Sequence, residues 1–498
     1  MTGRAGICLC LAEETLEADL RHVTALRKRI DLVELRVDHL KAQERASAGR
    51  LPRLAGVPAI LTVRRTRDGG LFNGDERERL ALLDRLVDAG FAYVDIEEDL
   101  QAPGLEARIA GAGARIIRSL HDFSGVPHDL SSRLAGLARN RNEIPKAAVM
   151  PNTCAELARI LHLFKAHQGK EKVFLGMGDI GFPTRVLAAR LGSAWCYSSP
   201  TAECIAPGQI DPIALEEEYR YRSIGPDTGI YGVIGNPIMH SRSPGIHNRG
   251  FAALGRDAVY LPFLVPDLEG FWAVADALEI KGLSVTVPHK QAVLAGVRDR
   301  DALVEATGAC NTITRKRVGA WQGTNTDIQG FLIPLRAAYT GSIPSSLAAT
   351  VIGAGGAARS IVYALASIGA QVLVLNRTLE HARAIAADFR VEYAGLDAAG
   401  LQRARRHADL IVQTTSVGMA PNTSADPAPE LRFSGREIVY ELIYAPQATV
   451  FVKRALQAGC RVIYGRHMLL EQAKRQFFLF TGAEYPSDLS EFLADDPD

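Results

Sequence analysis

Short apolar runs rich in β-branched and aromatic residues recur along the first part of the chain. Each is followed by a longer stretch with apolar positions at helical spacing and charges between them. The runs "ICLCLA", "LVELRVD", "AILTVR", "YVDIE", "RIIRSLHD", "AAVMP", "VFLGMG" and "AWCYSS" begin near residues 7, 32, 59, 93, 115, 147, 173 and 194, one strand and one helix apart. Runs with so little alternation suit parallel strands buried on both faces, and eight of them predict a (β/α)8 barrel. Polar residues interrupt or follow these runs: Glu34, Arg36 and Asp38, then Arg64, Glu97, His121 and Asp122, then Arg185 and Gln209. A barrel gathers the carboxyl ends of its strands at one mouth, so these residues are expected to converge there.

The stretch "EIPKAAVMP" (143–151) puts Lys146 at the head of an apolar strand. A buried ammonium must be paired, driven to its neutral form, or aimed at a group with which it reacts; the plainer alternative is a strand-end lysine reaching water. Side chains alternate along a strand, so Lys146, Ala148 and Met150 share a face, which is expected to point inward.

The pattern changes around "LEEEYRYRSIGPDTGIYGV", where a polar helix gives way to a Pro/Gly turn and a new strand opens at Ile230. A boundary is expected near residue 226. A second turn-rich stretch, "TGSIPSS" (340–346), precedes another strand-turn-helix series.

Length agrees with several domains, since 498 residues exceed what one core sustains. A hydrophobic share of 47% with 23% charged residues is that of a globular protein, and a net charge of +1 offers no general attraction to nucleic acid or an anionic membrane. No apolar run reaches about 18 residues, and the start "MTGRAGICLCLAEE" reads as neither signal peptide nor anchor. The seven cysteines are scattered, without the paired spacing of a zinc site. Buried thiols in a reducing cytoplasm are expected, with no metal. The acidic last dozen residues are expected to fray.

"ATVIGAGGAARSIVYALASIGAQVLVLNRT" (349–378) reads as strand, glycine turn, helix and second strand, with Gly353, Gly355 and Ala358 on the G-x-G-x-x-G/A spacing of a Rossmann dinucleotide site. The second strand ends in Asn376, Arg377 and Thr378 rather than in a carboxylate. A carboxylate there would hold the ribose hydroxyls of NAD and repel a 2′-phosphate, which Arg377 can pair with, so NADP(H) is the expected cofactor. The alternative for Arg377 is a solvated strand-end cation.

"KGLSVTVPHK" (281–290) brings Lys290 to a strand end, followed by "GACNTIT" (308–314) and "GTNTDIQG" (323–330). Ketone reduction needs a hydride donor, a proton donor and groups that orient the substrate. Lys290 with Asp327 can transfer a proton, and Thr286 and Asn311 can donate neutral hydrogen bonds. A surface pair of little energetic weight is the alternative.

These motifs together resemble two enzyme families fused in one chain, in the order of the plant-type bifunctional 3-dehydroquinate dehydratase/shikimate dehydrogenases. The first region is similar to type I dehydroquinate dehydratases through "ELRVD" (34–38), "TVRRTRDGG" (62–70), "SLHD" (119–122), Lys146, "GMGDIGFPTR" (176–185) and "APGQ" (206–209). The resemblance implies that Lys146 forms a Schiff base with the substrate ketone, that His121 is the acid and base, that Arg185 clamps the substrate carboxylate, and that Glu34, Arg36, Arg64 and Gln209 hold hydroxyls or order the mouth. An iminium withdraws electrons better than a ketone, and an apolar barrel interior is expected to favour the neutral amine that must attack. Two departures stand out: Asp68 where the family has a glutamate that orients the histidine, and Ile205 where a serine is common on the closing loop.

The second region is similar to shikimate dehydrogenases through "GVIGNPIMHSRSPGIHN" (232–248), "QTTSVGM" (413–419), "YAPQAT" (444–449) and "GRHMLLEQA" (465–473). By that resemblance Lys290 and Asp327 are the catalytic pair. Ser241 and Ser243 bind the shikimate carboxylate, and Thr286, Asn311, Tyr444 and Gln472 contact substrate. Gly353, Ala354, Gly355, Gly356, Ala357, Asn376, Arg377, Thr378, Met419 and Gly465 line the cofactor. Ser284 stands where many bacterial relatives have asparagine.

The fold expected is α/β, with a barrel over 1–225, a substrate-binding lobe over 226–340, a Rossmann lobe over 341–465 and C-terminal helices over 466–498 that return to the substrate lobe. The partners expected are small molecules, namely 3-dehydroquinate, 3-dehydroshikimate and shikimate, with no nucleic acid and no membrane; a monomer fits. A quinate-oxidising second domain is the alternative that the paired serines oppose, and a non-catalytic sensor is opposed by the presence of both lysines and His121. The ordered motifs likewise oppose an aldolase fused to an unrelated reductase. No channel between the sites is expected.

Overall fold

The computed structural model describes residues 4–167, 171–201 and 205–486; Cys204 and the acidic last dozen residues lie outside them. Two compact units divide the chain, Met1–Gly232 with Pro237–Ile280, and Val233–Asn236 with Lys281–Asp498.

Eight strands arrive in the first unit in the order the pattern predicts: β1 (Gly6–Leu11), β2 (Leu32–Arg36), β3 (Ala59–Thr62), β4 (Tyr93–Glu97), β5 (Arg115–Asp122), β6 (Glu143–Val149), β7 (Val173–Gly176) and β8 (Trp195–Ser198). They pair in parallel in the order β7-β6-β5-β4-β3-β2-β1-β8. The seam between β7 and β8 is bridged where Ala194 N–H donates to the Lys172 carbonyl at 2.8 Å and Phe174 N–H to Ser193 Oγ at 3.0 Å. Strand six begins earlier than the apolar run suggested, so Lys146 lies inside β6 rather than at its head. Ile144 and Ala148, two residues either side of Lys146, belong to the barrel's interior cluster with Cys8, Cys10, Ile60, Ile117 and Leu175. Lys146 therefore points into the barrel, as alternation requires.

Past the barrel the same unit carries most of β9 (Gly229–Gly235), then β10 (Ala258–Leu264) and the helix Leu268–Ala277. That helix packs on the barrel helix Cys154–Ala166, where Lys165 Nζ donates to the Ala277 carbonyl. These contacts tie 237–280 to the barrel unit.

The second unit holds β11 (Gly282–Val285), β12 (Asp299–Arg300), β13 (Thr312–Arg317) and β14 (Ala320–Thr324), with β13 antiparallel to both β11 and β14. It continues into β15 (Ala348–Ile352), β16 (Gln371–Asn376), β17 (Glu392–Gly395), β18 (Leu410–Gln413), β19 (Ile438–Glu441) and β20 (Arg461–Ile463). These six form a parallel sheet in the order β17-β16-β15-β18-β19-β20. The order reverses between β15 and β18, the crevice where open α/β sheets take ligands. The helices Asp327–Ala338 and Gly356–Ser367 bury Phe331, Leu335, Ile361 and Leu365 against Val351, Val374 and Val412 of the sheet.

Candidate active sites

The inward residues of the barrel strands enclose a cavity of about 530 Å³, its open mouth included. Among its lining residues are Glu34, Arg36, Arg64, Asp68, His121, Lys146, Arg185 and Gln209. Lys146 is almost wholly buried, yet its surroundings are not the apolar ones expected. Its Nζ donates to Asp95 Oδ2 at 2.9 Å, lies 3.5 Å from Glu34 Oε1 and sits 4.2 Å from the centre of the Tyr197 ring. Two carboxylates and an aromatic face thus surround the nitrogen, each a favourable contact for a cationic side chain.

Charge alternates outward from that nitrogen. Asp95 Oδ1 is met by Arg64 Nη2 at 2.8 Å and Ser119 Oγ at 2.6 Å; Arg64 Nη1 reaches Glu97 Oε1 at 3.0 Å, and Glu97 Oε2 meets Arg79 Nη1 at 2.8 Å. All are buried, so each charge depends on its neighbour. Burial pushes the Asp95 carboxyl up, but Arg64 and then Lys146 outweigh it and hold Asp95 well below the usual carboxylate range. Glu97 thus supports the site from behind.

His121 projects from β5 with Nδ1 buried and unpartnered among the described residues. Burial first, then the cations of Arg64 and Lys146, push it well below the usual imidazole range. A neutral ring is what a general base requires. Asp68 does not orient it as the family pattern implies. The Asp68 carboxylate takes Arg65 Nε at 2.6 Å, and Phe123 stacks near the imidazole with ring centres 6.3 Å apart. Arg36 forms a two-point pair with Asp38, whose oxygens also accept from the Arg64 and Leu71 N–H groups at 3.2 and 3.0 Å, tying the loop after β3 to the mouth. Burial raises Asp38, but Arg36 and the Leu71 and Arg64 N–H donors together outweigh it, so its net shift is downward. Asp122 turns away from the cavity to accept from Ser124 and Gly125. Arg185 is buried, with Nη2 on the Pro207 carbonyl at 2.9 Å. Gln209 holds its own loop through Ala206 N–H at 3.0 Å and donates to Cys10 Sγ at 3.3 Å.

Asp95, Tyr197 and Cys10 were not singled out in the sequence. Asp95 shares a face of "YVDIE" with Glu97, so alternation alone could have found it; Tyr197 and Cys10 sit in apolar runs that give no polar signal. Six described cysteines are free and buried.

In the same unit, Ser243 opens the helix Ser243–Ala253, and its N–H donates to Ser241 Oγ at 3.3 Å. In the second unit Lys290 Nζ meets Asp327 Oδ2 at 2.5 Å, and Asn311 Nδ2 donates to Asp327 Oδ1 at 2.8 Å. Gln472, on the helix Gly465–Thr481, turns Oε1 toward Asn311 Nδ2 at 3.4 Å. Four predicted side chains thus come together. Thr286 is half-buried just past β11 and its N–H donates to the Ile234 carbonyl, while Ser284 is committed to Gln476 at 2.8 Å.

The glycine turn follows β15. Gly353 has φ +114°, a conformation that favours glycine, and a Cβ there would lie 2.5 Å from Thr414 Oγ1. Gly355 is different: its φ is −90° and a Cβ would meet nothing within 4 Å. Nothing in the protein requires glycine there, and the open space at a helix start without a side-chain cap fits a pyrophosphate held by Ala354, Gly355, Gly356 and Ala357. Asn376 ends β16 and donates to the Thr378 carbonyl at 2.8 Å, leaving Arg377 exposed beside them. At the ends of the neighbouring strands Gln413 and Glu441 stand in register, and each binds its own following loop. Gln413 holds Thr415 and Val417 ahead of Met419; Glu441 accepts from Ile443 N–H at 3.0 Å and Thr449 Oγ1 at 2.9 Å on either side of Tyr444.

Models of three families match the chain: Type I 3-dehydroquinase over residues 7–226, Shikimate dehydrogenase substrate binding domain over 233–313, and Shikimate / quinate 5-dehydrogenase over 341–421. A bifunctional 3-dehydroquinate dehydratase/shikimate dehydrogenase of Arabidopsis thaliana, described as chloroplastic, is 31% identical over 482 residues, which span 92% of this chain and 79% of the relative. The chain belongs to the bifunctional 3-dehydroquinate dehydratase/shikimate dehydrogenase family. This family pairs a lyase with an oxidoreductase, and both are present in the chain. The dehydrogenase part is also similar to a shikimate dehydrogenase (NADP(+)) of Moorella thermoacetica, 42% identical over 270 residues, or 52% of this chain and 90% of the relative. Among solved structures, dehydroquinate dehydratase and shikimate dehydrogenase from S. pombe AroM covers 98% of this chain and 97% of its own at 23% identity, with a TM-score of 0.43. Among the described residues no helix is long and apolar enough to cross a membrane.

Proposed function

We propose that the barrel dehydrates 3-dehydroquinate to 3-dehydroshikimate and that the dehydrogenase part reduces this product to shikimate with NADPH. The observation that carries the reading is Lys146, buried inside one cavity with His121 and Arg185. Lys146 condenses with the substrate ketone; His121, neutral at rest, removes the adjacent C–H proton and returns a proton to the departing hydroxyl. Arg185 clamps the substrate carboxylate, while Glu34, Arg36, Arg64 and Gln209 order the hydroxyls and the mouth.

In the dehydrogenase, NADPH supplies the hydride when bound. Lys290 gives the ketone oxygen its proton, and Asp327 holds Lys290 in place and exchanges the proton with it. Asn311, Gln472, Thr286 and Tyr444 orient substrate hydroxyls, and Ser241 and Ser243 take the carboxylate. Gly353 through Ala357, Asn376, Arg377, Thr378, Met419 and Gly465 receive the cofactor; the exposed Arg377 without a carboxylate beside it favours the 2′-phosphate. The reading assigns 1–225 to the dehydratase, 226–340 to the substrate lobe, 341–465 to the cofactor lobe and 466–498 to the helices that return to it. It sets the enzyme in a reducing cytoplasm as a monomer acting on small molecules, with neither nucleic acid nor membrane as partner. The free buried thiols support the reducing setting.

The test is to supply 3-dehydroquinate with and without NADPH and to follow the enone and nicotinamide absorbances together. Consumption of NADPH with little standing enone supports both steps. Enone that accumulates beside unused NADPH removes the dehydrogenase assignment, and quinate oxidised faster than shikimate replaces its substrate.

A further inference from the structure

We propose that Asp95 is a further catalytic residue of the barrel, the fixed counter-ion of the Lys146 nitrogen in both its ammonium and its iminium state; this rests on the reading of Lys146 as the imine-forming lysine. Condensation of a resting ammonium with a ketone forms one carbon–nitrogen double bond and breaks the carbon–oxygen bond. Of the three ammonium protons, two leave on the expelled water and one stays on the iminium nitrogen. The positive charge thus remains on that nitrogen, and so does one N–H that can donate.

Asp95 is built to face that charge throughout. Its Oδ1 is occupied by Arg64 and Ser119, at 2.8 and 2.6 Å, which leaves Oδ2 to Lys146 at 2.9 Å. Arg64 is itself fixed by Glu97, so the carboxylate has no second position to swing into. Glu34 is a poorer candidate, being farther away at 3.5 Å and committed to Thr62 Oγ1 at 2.9 Å. The cations that hold Asp95 well below the usual carboxylate range also make it a weak base. It stabilises charge and leaves proton transfer to His121. An iminium buried without a counter-ion would lose its last proton, and the neutral imine that remains withdraws electrons poorly from the adjacent carbon.

Borohydride reduces the iminium and fixes the substrate on the lysine, so the labelled fraction at saturating 3-dehydroquinate, mapped by peptide mass, measures the standing iminium. Asp95→Asn is expected to lower that fraction at least tenfold with dehydrogenase activity unchanged, and Asp95→Glu, which restores the charge, to recover most of it. Labelling of Asp95→Asn equal to that of the parent enzyme overturns the proposal. If Asp95→Asn proves insoluble, Ser119→Ala carries the test: with one donor fewer at Oδ1, more of the carboxylate's charge is left for the nitrogen. A higher labelled fraction then supports the proposal, and an unchanged or lower one overturns it. Absence of label on Lys146 in the parent enzyme is a separate result, which removes the imine reading itself.

Discussion

Each half of the chain sets a lysine against an aspartate, and the companions of the aspartate separate the two chemistries. In the barrel, Asp95 is saturated by an arginine and a serine, and the lysine side chain is 5% exposed. In the dehydrogenase, Asp327 has the neutral amide of Asn311 on its other oxygen, and Lys290 is 15% exposed. A carboxylate loaded with cationic donors holds charge in place; one with neutral donors, near water, can trade a proton with its lysine. One pair suits a covalent intermediate and the other acid–base transfer.

The sharpest break of this comparison is removal of each lysine. Lys146→Ala is expected to lower dehydration by about 10⁵-fold or more, as loss of a covalent nucleophile does, and to leave reduction of added 3-dehydroshikimate within about twofold; Lys290→Ala does the reverse. Steady-state rates of the two half-reactions check both, and loss of both activities in either variant would sink the two-site reading. Next in size, Asp327→Asn keeps the shape but not the charge, and an acid–base role predicts a loss of about 10²- to 10⁴-fold in kcat with little change in KM.

Arg64→Leu attacks stability instead. It leaves Asp95 and Glu97 buried without their shared cation, a cost of about 3–5 kcal/mol, read as a lower denaturant midpoint for the unit that holds the barrel. Arg377→Ala is expected to raise the KM for NADPH by about 10- to 100-fold, the weight of a charge-assisted bond, and to leave that for NADH unchanged.

A further effect, on stability, concerns Glu441. Burial pushes its carboxyl from 4.5 up to about 7, so the folded chain keeps a proton that the unfolded chain releases near 4.5. Stability of the dehydrogenase should therefore fall as pH rises from about 4.5 to about 7, and Glu441→Gln should flatten that slope in thermal inactivation runs.

The eight barrel strands and the glycine turn were legible because parallel strands and tight turns impose local patterns. Lys146 was legible for the opposite reason, as a charge where the pattern demanded an apolar residue. Its surroundings were not: Asp95, Glu34 and Tyr197 come from three other strands, and closing the barrel sets them around one nitrogen. Asp68 shows the same limit. The motif places it correctly in the mouth, but whether it meets His121 or Arg65 is decided by loop geometry that no spacing encodes.

Gln413 and Glu441 each brace their own succeeding loop, so one strand-end side chain serves as the keystone of each. A substitution at either anchor therefore loosens a whole loop at once, because residues 413–419 or 441–449 lose the bonds that shape them.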